Sequence, residues 1–177
     1  SQAAGHSLNY EAITGVTYTI GPRDGAPVPL LQILGDFAGG GLHLAFGVIC
    51  AVLEARGSGK GQVVDGAMID GVMSLMSVFY GMHGSGMHTD QRGENLFDGG
   101  APFYNIYETK DGRHVSVAPI EPHFYAELLE KLGLDATSLP DQNDRASWPE
   151  LRDRLASVFA KKTRAEWDHP SEGSDAC

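Results

Sequence analysis

The sequence predicts an α/β unit followed by a small α+β unit, and three features of the chain support this division. Residues 30–82 alternate short apolar runs with longer apolar stretches, in the order strand, helix, strand, helix that is typical of an α/β layer. Residues 83–101 are rich in glycine and polar side chains and lack any period, which indicates a linker. Residues 102–177 carry a hairpin signal. We therefore expect part of a large domain in residues 1–66, a helix and linker in 67–101, and a small domain in 102–177.

The first unit is expected to begin with a helix over residues 7–20. Ser7 is a favourable N-cap residue for this helix. One apolar stripe recurs at helical spacing, and it consists of Leu8, Ala12, Val16 and Ile20. Its spacing predicts that this face of the helix is buried.

Two strands and two helices are predicted to follow. The short apolar run at residues 30–34 predicts a buried strand, and a mostly apolar helix extends from the glycines after it to about Ala55. After a glycine-rich turn at residues 57–61, residues 62–65 predict the second strand. Residues 67–82 predict an apolar helix that contains several methionines.

The second unit is predicted from local signals. Residues 103–107 and 114–117 have the composition of strands and flank a Lys-Asp-Gly sequence that is typical of a hairpin turn. Residues 122–132 predict a helix that begins with proline. Capping boxes that begin at Ser147 and Thr163 predict two further helices.

The composition indicates an acidic protein with an ordinary apolar content. The 177 residues carry a net charge of -10 and are 42% hydrophobic, enough for one core or two small ones. Such a charge repels nucleic acid and anionic lipid, so neither is expected as a partner. Cys50 and Cys177 have no metal-ligand spacing, so structural zinc is not expected. Residues 42–53 form the longest apolar stretch, and His43 and Gly47 interrupt it, so no membrane span is predicted.

His6 and Asp36, each beside a predicted helix start, are the leading candidates for chemistry. An imidazole and a carboxylate at positively polarised helix ends suit the removal of a proton beside a carbonyl. The backbone N–H groups there suit a developing oxyanion. Each residue also has a purely structural interpretation, His6 as a polar residue near a helix start and Asp36 as an N-cap. The pattern by itself leaves both interpretations open.

Glycines and one further carboxylate extend this hypothesis. Glycines 39–41 would let a ligand approach the backbone closely, and Asp36 would lie at the carboxyl end of a strand, where α/β sheets bind ligands. The glycine-rich turn at residues 57–61 lacks the order of a phosphate loop and follows a helix, which excludes a nucleotide triphosphatase. Glu121 precedes Pro122, so it is either a helix-start carboxylate or the partner that orients an imidazole.

Five segments of the chain carry a family resemblance. They are residues 5–10 (GHSLNY), 35–41 (GDFAGGG), 59–65 (GKGQVVD), 95–104 (NLFDGGAPFY) and 120–125 (IEPHFY). Together, in this order, they resemble the α-methylacyl-CoA racemases of the family III CoA-transferase superfamily. The resemblance implies part of a Rossmann-like large domain joined by a linker to a small α+β domain. Members of the family are about twice as long, a two-domain length, so we expect an internal fragment without the N-terminal part and the C-terminal return.

The resemblance also implies a reaction and its residues. It implies a 1,1-proton transfer that interconverts (R)- and (S)-2-methylacyl-CoA thioesters through an enolate, with His6 and Asp36 as the two acid/bases. Glu121 is implied as the carboxylate partner of His6. The CoA thioester would be bound at the start of the first helix, by Gly5, His6, Ser7, Leu8, Asn9 and Tyr10. CoA is part of the substrate, and no metal or redox cofactor is implied.

Two other functions stay open at this point. The first is a CoA-transferase of the same superfamily, in which Asp36 is a nucleophile that forms an anhydride with the acyl group. The second is an inactive, truncated remnant. A transferase needs only the aspartate, so His6 and Glu121 together favour proton transfer. Because the family forms interlocked homodimers, the resemblance further implies that Glu121 meets His6 across a subunit interface. Ser7 is a departure, since the family usually has aspartate there.

Overall fold

The chain folds into two compact units, which we describe from a computed structural model of residues 4–171 and 173–177. The N-terminal unit extends to Asp90 and the C-terminal unit begins at Gln91. The helices of the N-terminal unit are α1 (Ser7–Ile13), α2 (Val16–Thr19), a π-helix (Ile33–Leu42), α3 (His43–Ser58), α4 (Met68–Leu75) and α5 (Ser77–Gly84). The elements of the C-terminal unit are β1 (Asn105–Glu108), β2 (His114–Val117), α6 (Pro122–Leu132), two short 3₁₀ helices (Ala136–Ser138 and Arg145–Ser147), α7 (Trp148–Phe159) and α8 (Arg164–Ser171).

Both strands predicted for the N-terminal unit are wrong. At residues 30–34, Leu31 and Gln32 have φ angles of 54° and 61°, and the π-helix begins directly after them. A strand cannot pass through left-handed backbone. Residues 62–65 pair with no other strand, and the hairpin of the C-terminal unit is the one sheet in the described part of the chain. The predicted Rossmann-like arrangement therefore stays a proposal.

The predicted helix over residues 7–20 is divided into α1 and α2. Gly15, between them, has a φ angle of 84°, in the left-handed region that favours glycine. The break turns the helix, so most of the predicted apolar stripe is wrong: Leu8 is 46% exposed and Ile20 is 40% exposed, whereas Val16 is buried as predicted. The face of α1 that is buried is polar, and it carries Ser7 and Glu11. The predicted helix over 67–82 is also divided, at Met76, into α4 and α5, although the backbone of Met76 stays right-handed.

The π-helix and α4 cross at two glycines. A Cβ atom on Gly71 would overlap the carbonyl oxygen of Gly39, and a Cβ atom on Gly39 would lie 2.6 Å from Cγ2 of Val72. Neither position has room for a larger residue, so the backbones of the two helices approach directly. The small core beside this crossing contains Val16, Val72 and Met76, with Leu30, Leu34, Met68 and Phe79 packed against it. The crossing therefore holds the middle of the π-helix against α4.

The π-helix continues into α3, and this stretch is largely exposed. Residues Ile33–Ser58 form 26 consecutive helical residues with a mean hydropathy of 1.6 in their most apolar window, of which 6% is buried. Within the described residues this is the one helix long and apolar enough to cross a bilayer, on length and composition alone. His43 and Gly47, expected to interrupt the apolar run, lie within it. The exposed large side chains include Phe37, Leu42, Phe46, Ile49 and Leu53.

The hairpin and helices of the C-terminal unit confirm most of the local predictions. Strands β1 and β2 are antiparallel, with Tyr107 opposite Val115. The ring of Tyr107 stacks on Phe159 with 5.0 Å between centroids. Helix α6 has the predicted bounds, Pro122–Leu132. The main core lies between the hairpin, α6 and α7, and its most buried members are Ala101, Phe103, Leu151 and Leu155.

One of the two capping boxes is confirmed and the other is wrong. At the start of α8, Thr163 N–H and the Thr163 hydroxyl both donate to Glu166, each at 2.8 Å. At the start of α7, the Ser147 hydroxyl instead donates to the carbonyl of Asp144 at 2.8 Å. Asp144 caps the 3₁₀ helix that precedes α7, so Ser147 is already engaged. The start of α7 therefore has no side-chain cap.

The segment predicted as a linker contains an ordered loop. The carboxylate of Asp98 accepts the N–H groups of Gly93, Asn95 and Gly100 at 2.9–3.1 Å. Asn95 is 1% exposed, and its side-chain amide also donates to Asp98, at 2.7 Å. One aspartate therefore closes the loop that precedes β1. The division of the chain at residues 66 and 101 stays a prediction.

Candidate active site

His6 is the N-cap of α1, in place of the predicted Ser7. Its backbone is extended, and its N–H group donates to the side-chain oxygen of Asn9 at 3.0 Å. The imidazole is exposed, whereas Ser7 lies inside the helix and is 6% exposed. The predicted helix start at Ser7 is confirmed, but the N-cap lies one residue earlier than predicted, because Asn9 makes the reciprocal capping bond with His6.

Asp36 lies in the first turn of the π-helix, not at an N-cap after a strand. Its N–H group donates to the carbonyl of Gln32 at 3.1 Å, so the residue is already part of the helix. The side chain is half-buried. A carboxylate in the first turn still lies at the positive end of the helix dipole. The chemical environment expected for Asp36 is retained although the strand before it is absent from the described residues.

A buried contact joins the helix starts that carry His6 and Asp36. Oε1 of Glu11 accepts the N–H of Gly35 at 2.8 Å, and the Ser7 hydroxyl points to the same oxygen at a long 3.5 Å. A Cβ atom on Gly35 would lie 3.0 Å from Cβ of Ser7. Since Ser7 follows His6 and Gly35 precedes Asp36, each candidate acid/base is one residue away from this contact.

Glu11 is a residue of the candidate site that the sequence reasoning missed. It is 1% exposed, although it lies on a helix whose apolar side chains were expected to be the buried ones. A single glutamate in a helix is normally solvated, so the residue type gives no signal. The four-residue spacing from Ser7 places both on one face of α1, and only the contact with Gly35, 24 residues away in the chain, reveals the role of that face.

The glycines after Asp36 have a different role from the predicted one. Gly39 was expected to admit a ligand, but it packs against Val72 of α4. Gly41 has more room, since a Cβ atom there would lie 3.5 Å from the Asp36 carbonyl oxygen. The first glycine therefore serves the helix crossing, and close approach of a ligand at the last one stays a prediction.

The predicted CoA-binding segment spans the start of α1. A Cβ atom on Gly5 would lie 3.0 Å from the hydroxyl of Tyr10, so this ring covers Gly5. Helix geometry leaves the first N–H groups of α1, those of Ser7 and Leu8, without an acceptor inside the helix. The binding of CoA by residues 5–10 stays a prediction.

Glu121 is in the C-terminal unit, where it is the N-cap of α6. Its backbone is extended, Pro122 follows as the first helical residue, and the side chain is exposed. This confirms the helix start predicted for the segment. The meeting of Glu121 with His6 stays a prediction.

None of the three candidate residues lines the cavity found in the C-terminal unit. It encloses about 430 Å³ between β2, α6 and α8, and its wall includes His114, Lys131, Arg164 and Trp167. Among the described side chains, no group of three or more His, Cys, Asp or Glu is arranged to hold a metal ion. His114 and Asp168, an imidazole and a carboxylate, also line this cavity. None of the three residues predicted to carry the chemistry lies in its wall, so the start of α1 and the π-helix form the better candidate site.

Comparison with known proteins gives the family. The sequence profile of CoA-transferase family III matches residues 1–177. The chain is 46% identical over 177 residues to alpha-methylacyl-CoA racemase of Mus musculus and 44% identical over 174 residues to that of Homo sapiens. These alignments cover 100% and 98% of this chain but 46% of each relative, so the chain spans about half their length.

A solved structure shows the same fold. A hypothetical protein from Mycobacterium tuberculosis matches with a TM-score of 0.73 at 24% identity, over 96% of this chain and 45% of that one. The profile match over the full sequence and the two close relatives agree with this structural likeness. The chain therefore belongs to CoA-transferase family III.

Proposed function

We propose that the protein carrying this chain is a racemase or epimerase that interconverts (R)- and (S)-2-methylacyl-CoA thioesters. The observation that carries the proposal is the contact of Glu11 with Gly35, which brings the helix starts bearing His6 and Asp36 together. An imidazole and a carboxylate on neighbouring helix starts suit proton transfer at one carbon from two sides. The relatives named alpha-methylacyl-CoA racemase support the substrate class.

The proposed reaction removes a proton from one face of the α-carbon and adds a proton to the opposite face. Neutral His6 takes the α-proton, the C–H electron pair moves into the thioester carbonyl, and an enolate forms. Protonated Asp36 then donates its proton to the other face of the α-carbon, which leaves an imidazolium and a carboxylate. The reverse direction starts from that state and exchanges the roles of His6 and Asp36. N–H groups at the start of α1 would stabilise the enolate oxygen.

Glu121 is proposed to support His6. A carboxylate bonded to an imidazole selects its tautomer and stabilises its charged form. The exposed position of Glu121 at the start of α6 leaves its side chain accessible for such a bond. We propose that the bond forms across the interface of an interlocked homodimer. The chemistry requires no metal or redox cofactor, and we propose that the Ile33–Ser58 stretch is a packing helix of this fold and not a membrane span.

A CoA-transferase is the second candidate, and the family profile favours it as an alternative. In that reaction Asp36 attacks the thioester carbonyl, releases CoA as a thiolate and forms an anhydride with the acyl group. The thiolate then attacks the aspartyl carbonyl, which releases the first acid and leaves an aspartyl-CoA thioester. The second acid attacks that thioester, and the same steps in reverse give its CoA thioester and free Asp36. His6 and Glu121 have no required role in it. An experiment that follows both α-proton exchange and CoA transfer therefore separates the two functions.

The test is α-proton exchange followed by NMR. Each enantiomer of a 2-methylacyl-CoA is incubated in heavy water with a second carboxylic acid present. Loss of the α-proton without transfer of CoA supports the racemase, and transfer of CoA to the second acid supports the transferase. Absence of both reactions in the complete protein would refute both functions and leave the inactive remnant.

Variants assign the two acid/bases. His6→Ala should reduce exchange from one enantiomer on the order of 10²-fold or more while exchange from the other is largely kept. Asp36→Asn should show the opposite preference. Exposed residues at other helix starts of the same unit provide matched controls, His43→Ala and Asp70→Asn, which should leave both exchange rates unchanged. Equal exchange from both enantiomers in His6→Ala would contradict the assignment.

A further inference from the structure

Glu11 is a buried carboxylate that the proposed proton transfer does not use. It is 1% exposed, and Ser7, one helical turn before it, is 6% exposed. None of the ion pairs among the described residues involves Glu11. Burying a carboxylate away from cations is costly unless hydrogen bonds replace its water. The residue is therefore better explained by the bond it makes than by packing.

The bond that Glu11 makes is specific in its geometry. Its Oε1 accepts the Gly35 N–H at 2.8 Å, a short distance for an N–H donor. Gly35 can approach this closely because it has no side chain. A Cβ atom there would lie 2.6 Å from the same Oε1 and 3.1 Å from Sδ of Met68. The glycine and the glutamate thus form a matched pair at the place where α1 meets the π-helix.

The bond lies at the connection between the two proposed acid/bases. His6 begins the helix that carries Glu11, and Asp36 follows the residue that donates to it. The backbone of Asp36 is part of the first turn of the π-helix. A bond that fixes the N–H group of Gly35 therefore also fixes the direction in which the Asp36 side chain projects from the helix. A proton transfer at carbon depends steeply on the separation of its groups.

We infer that Glu11 is a positioning residue, which sets the separation of His6 and Asp36 by bonding the Gly35 N–H. This inference rests on the proposed function, and it extends that function to a residue with no part in the proton transfer itself. Glu11 acts through Gly35 and Asp36, and it touches no reacting atom.

The test compares three substitutions in the complete natural polypeptide that carries these residues. Glu11→Leu keeps the volume but removes the acceptor, and it should lower kcat for racemisation by about 10–100-fold with KM changed by less than about threefold. Glu11→Gln keeps an acceptor oxygen at the same length, and kcat should stay within about fivefold of the original. Glu11→Asp retracts the carboxylate by one methylene group and should also lower kcat, so it serves where Glu11→Leu fails to fold.

Thr14→Val is the matched control for a purely structural role. Thr14 is a buried polar residue at the end of the same helix, and its hydroxyl donates to the Glu11 carbonyl at 2.7 Å without contacting Gly35. This substitution should lower the melting temperature and leave kcat per folded molecule unchanged. Unchanged kcat in both Glu11→Leu and Glu11→Asp would overturn the positioning role.

A second readout does not depend on activity. The ¹H–¹⁵N signal of the Gly35 amide should move upfield in Glu11→Leu, because its acceptor is lost, and move much less in Glu11→Gln. An unmoved Gly35 signal in Glu11→Leu would overturn the inference even in an active enzyme. A wild-type protein that exchanges no α-proton would overturn the proposed function instead, while the Gly35 signal still reports on the bond itself.

Discussion

Replacing Gly71 by alanine should destabilise the N-terminal unit, although alanine is the better helix former. Within a helix the change from glycine to alanine gains about 0.5–1 kcal/mol. At Gly71, however, the new Cβ atom would overlap the carbonyl oxygen of Gly39 and would lie 2.7 Å from its Cα. These are backbone atoms, so no side chain can rotate away and the two helices must separate. Overpacking of this kind costs about 1–3 kcal/mol. After the gain in helix propensity, we expect the free energy of unfolding to fall by up to about 2.5 kcal/mol.

Gly81 provides the matched control. It lies inside α5, and a Cβ atom there would meet nothing within 4 Å. Gly81→Ala should therefore show only the gain in helix propensity, about 0.5–1 kcal/mol. The two substitutions should change the free energy of unfolding in opposite directions. Their difference separates the effect of the contact with Gly39 from the effect of helix propensity.

Urea unfolding distinguishes the two units. Both tryptophans, Trp148 and Trp167, belong to the C-terminal unit, so their fluorescence reports on that unit alone. Far-UV circular dichroism reports on the helices of both units. Gly71→Ala should lower the midpoint seen by circular dichroism and leave the fluorescence midpoint in place. A variant as stable as the original by both signals would refute the close crossing of the π-helix and α4.

Two further predictions concern the C-terminal unit. The buried hydroxyl of Tyr107 donates to the Pro102 carbonyl at 2.6 Å, so Tyr107→Phe should lower the free energy of unfolding measured by tryptophan fluorescence by about 1 kcal/mol; no loss would show that the bond adds nothing. The Thr109 hydroxyl, with the N–H of Arg164, holds the pKa of Asp111 below its ordinary value. The stabilisation by the Asp111 carboxylate is therefore present above the ordinary aspartate pKa and is lost as pH falls through the lowered pKa. In Asp111→Asn, the urea midpoint should decline less steeply between neutral and acidic pH. An equally steep decline would contradict this prediction.

Local signals predicted the C-terminal unit well. The hairpin turn, the proline at the start of α6 and the pairing of Thr163 with Glu166 each depend on residues within four positions of one another. Ser147 is the exception, because Asp144 lies close enough to compete for it. Such short-range bonds form in nearly any tertiary context, which is why the sequence suffices for them.

The N-terminal unit was predicted poorly because its helices depend on distant contacts. A short apolar run such as residues 30–34 is compatible with a strand or a buried helix, and periodicity alone cannot separate them. The stripe that begins at Leu8 has helical spacing, yet Gly35 draws the polar face of α1 inward through Glu11. The sequence identified the neighbourhoods of His6 and Asp36 but not the residue between their helices. The role of Glu121 stays a prediction.

A substitution on the apolar surface of α3 can show whether that surface is solvated or covered. Phe46 is 68% exposed and its helix carries large apolar side chains on several sides. In the free chain, Phe46→Ser should leave the fold intact and improve solubility, since it removes exposed apolar area. Where another polypeptide covers α3, the same substitution would leave a cavity and an unpaired hydroxyl, and it would lower the stability of the assembly. A loss of stability on this substitution would therefore indicate an enclosed α3, and unchanged stability a solvated one.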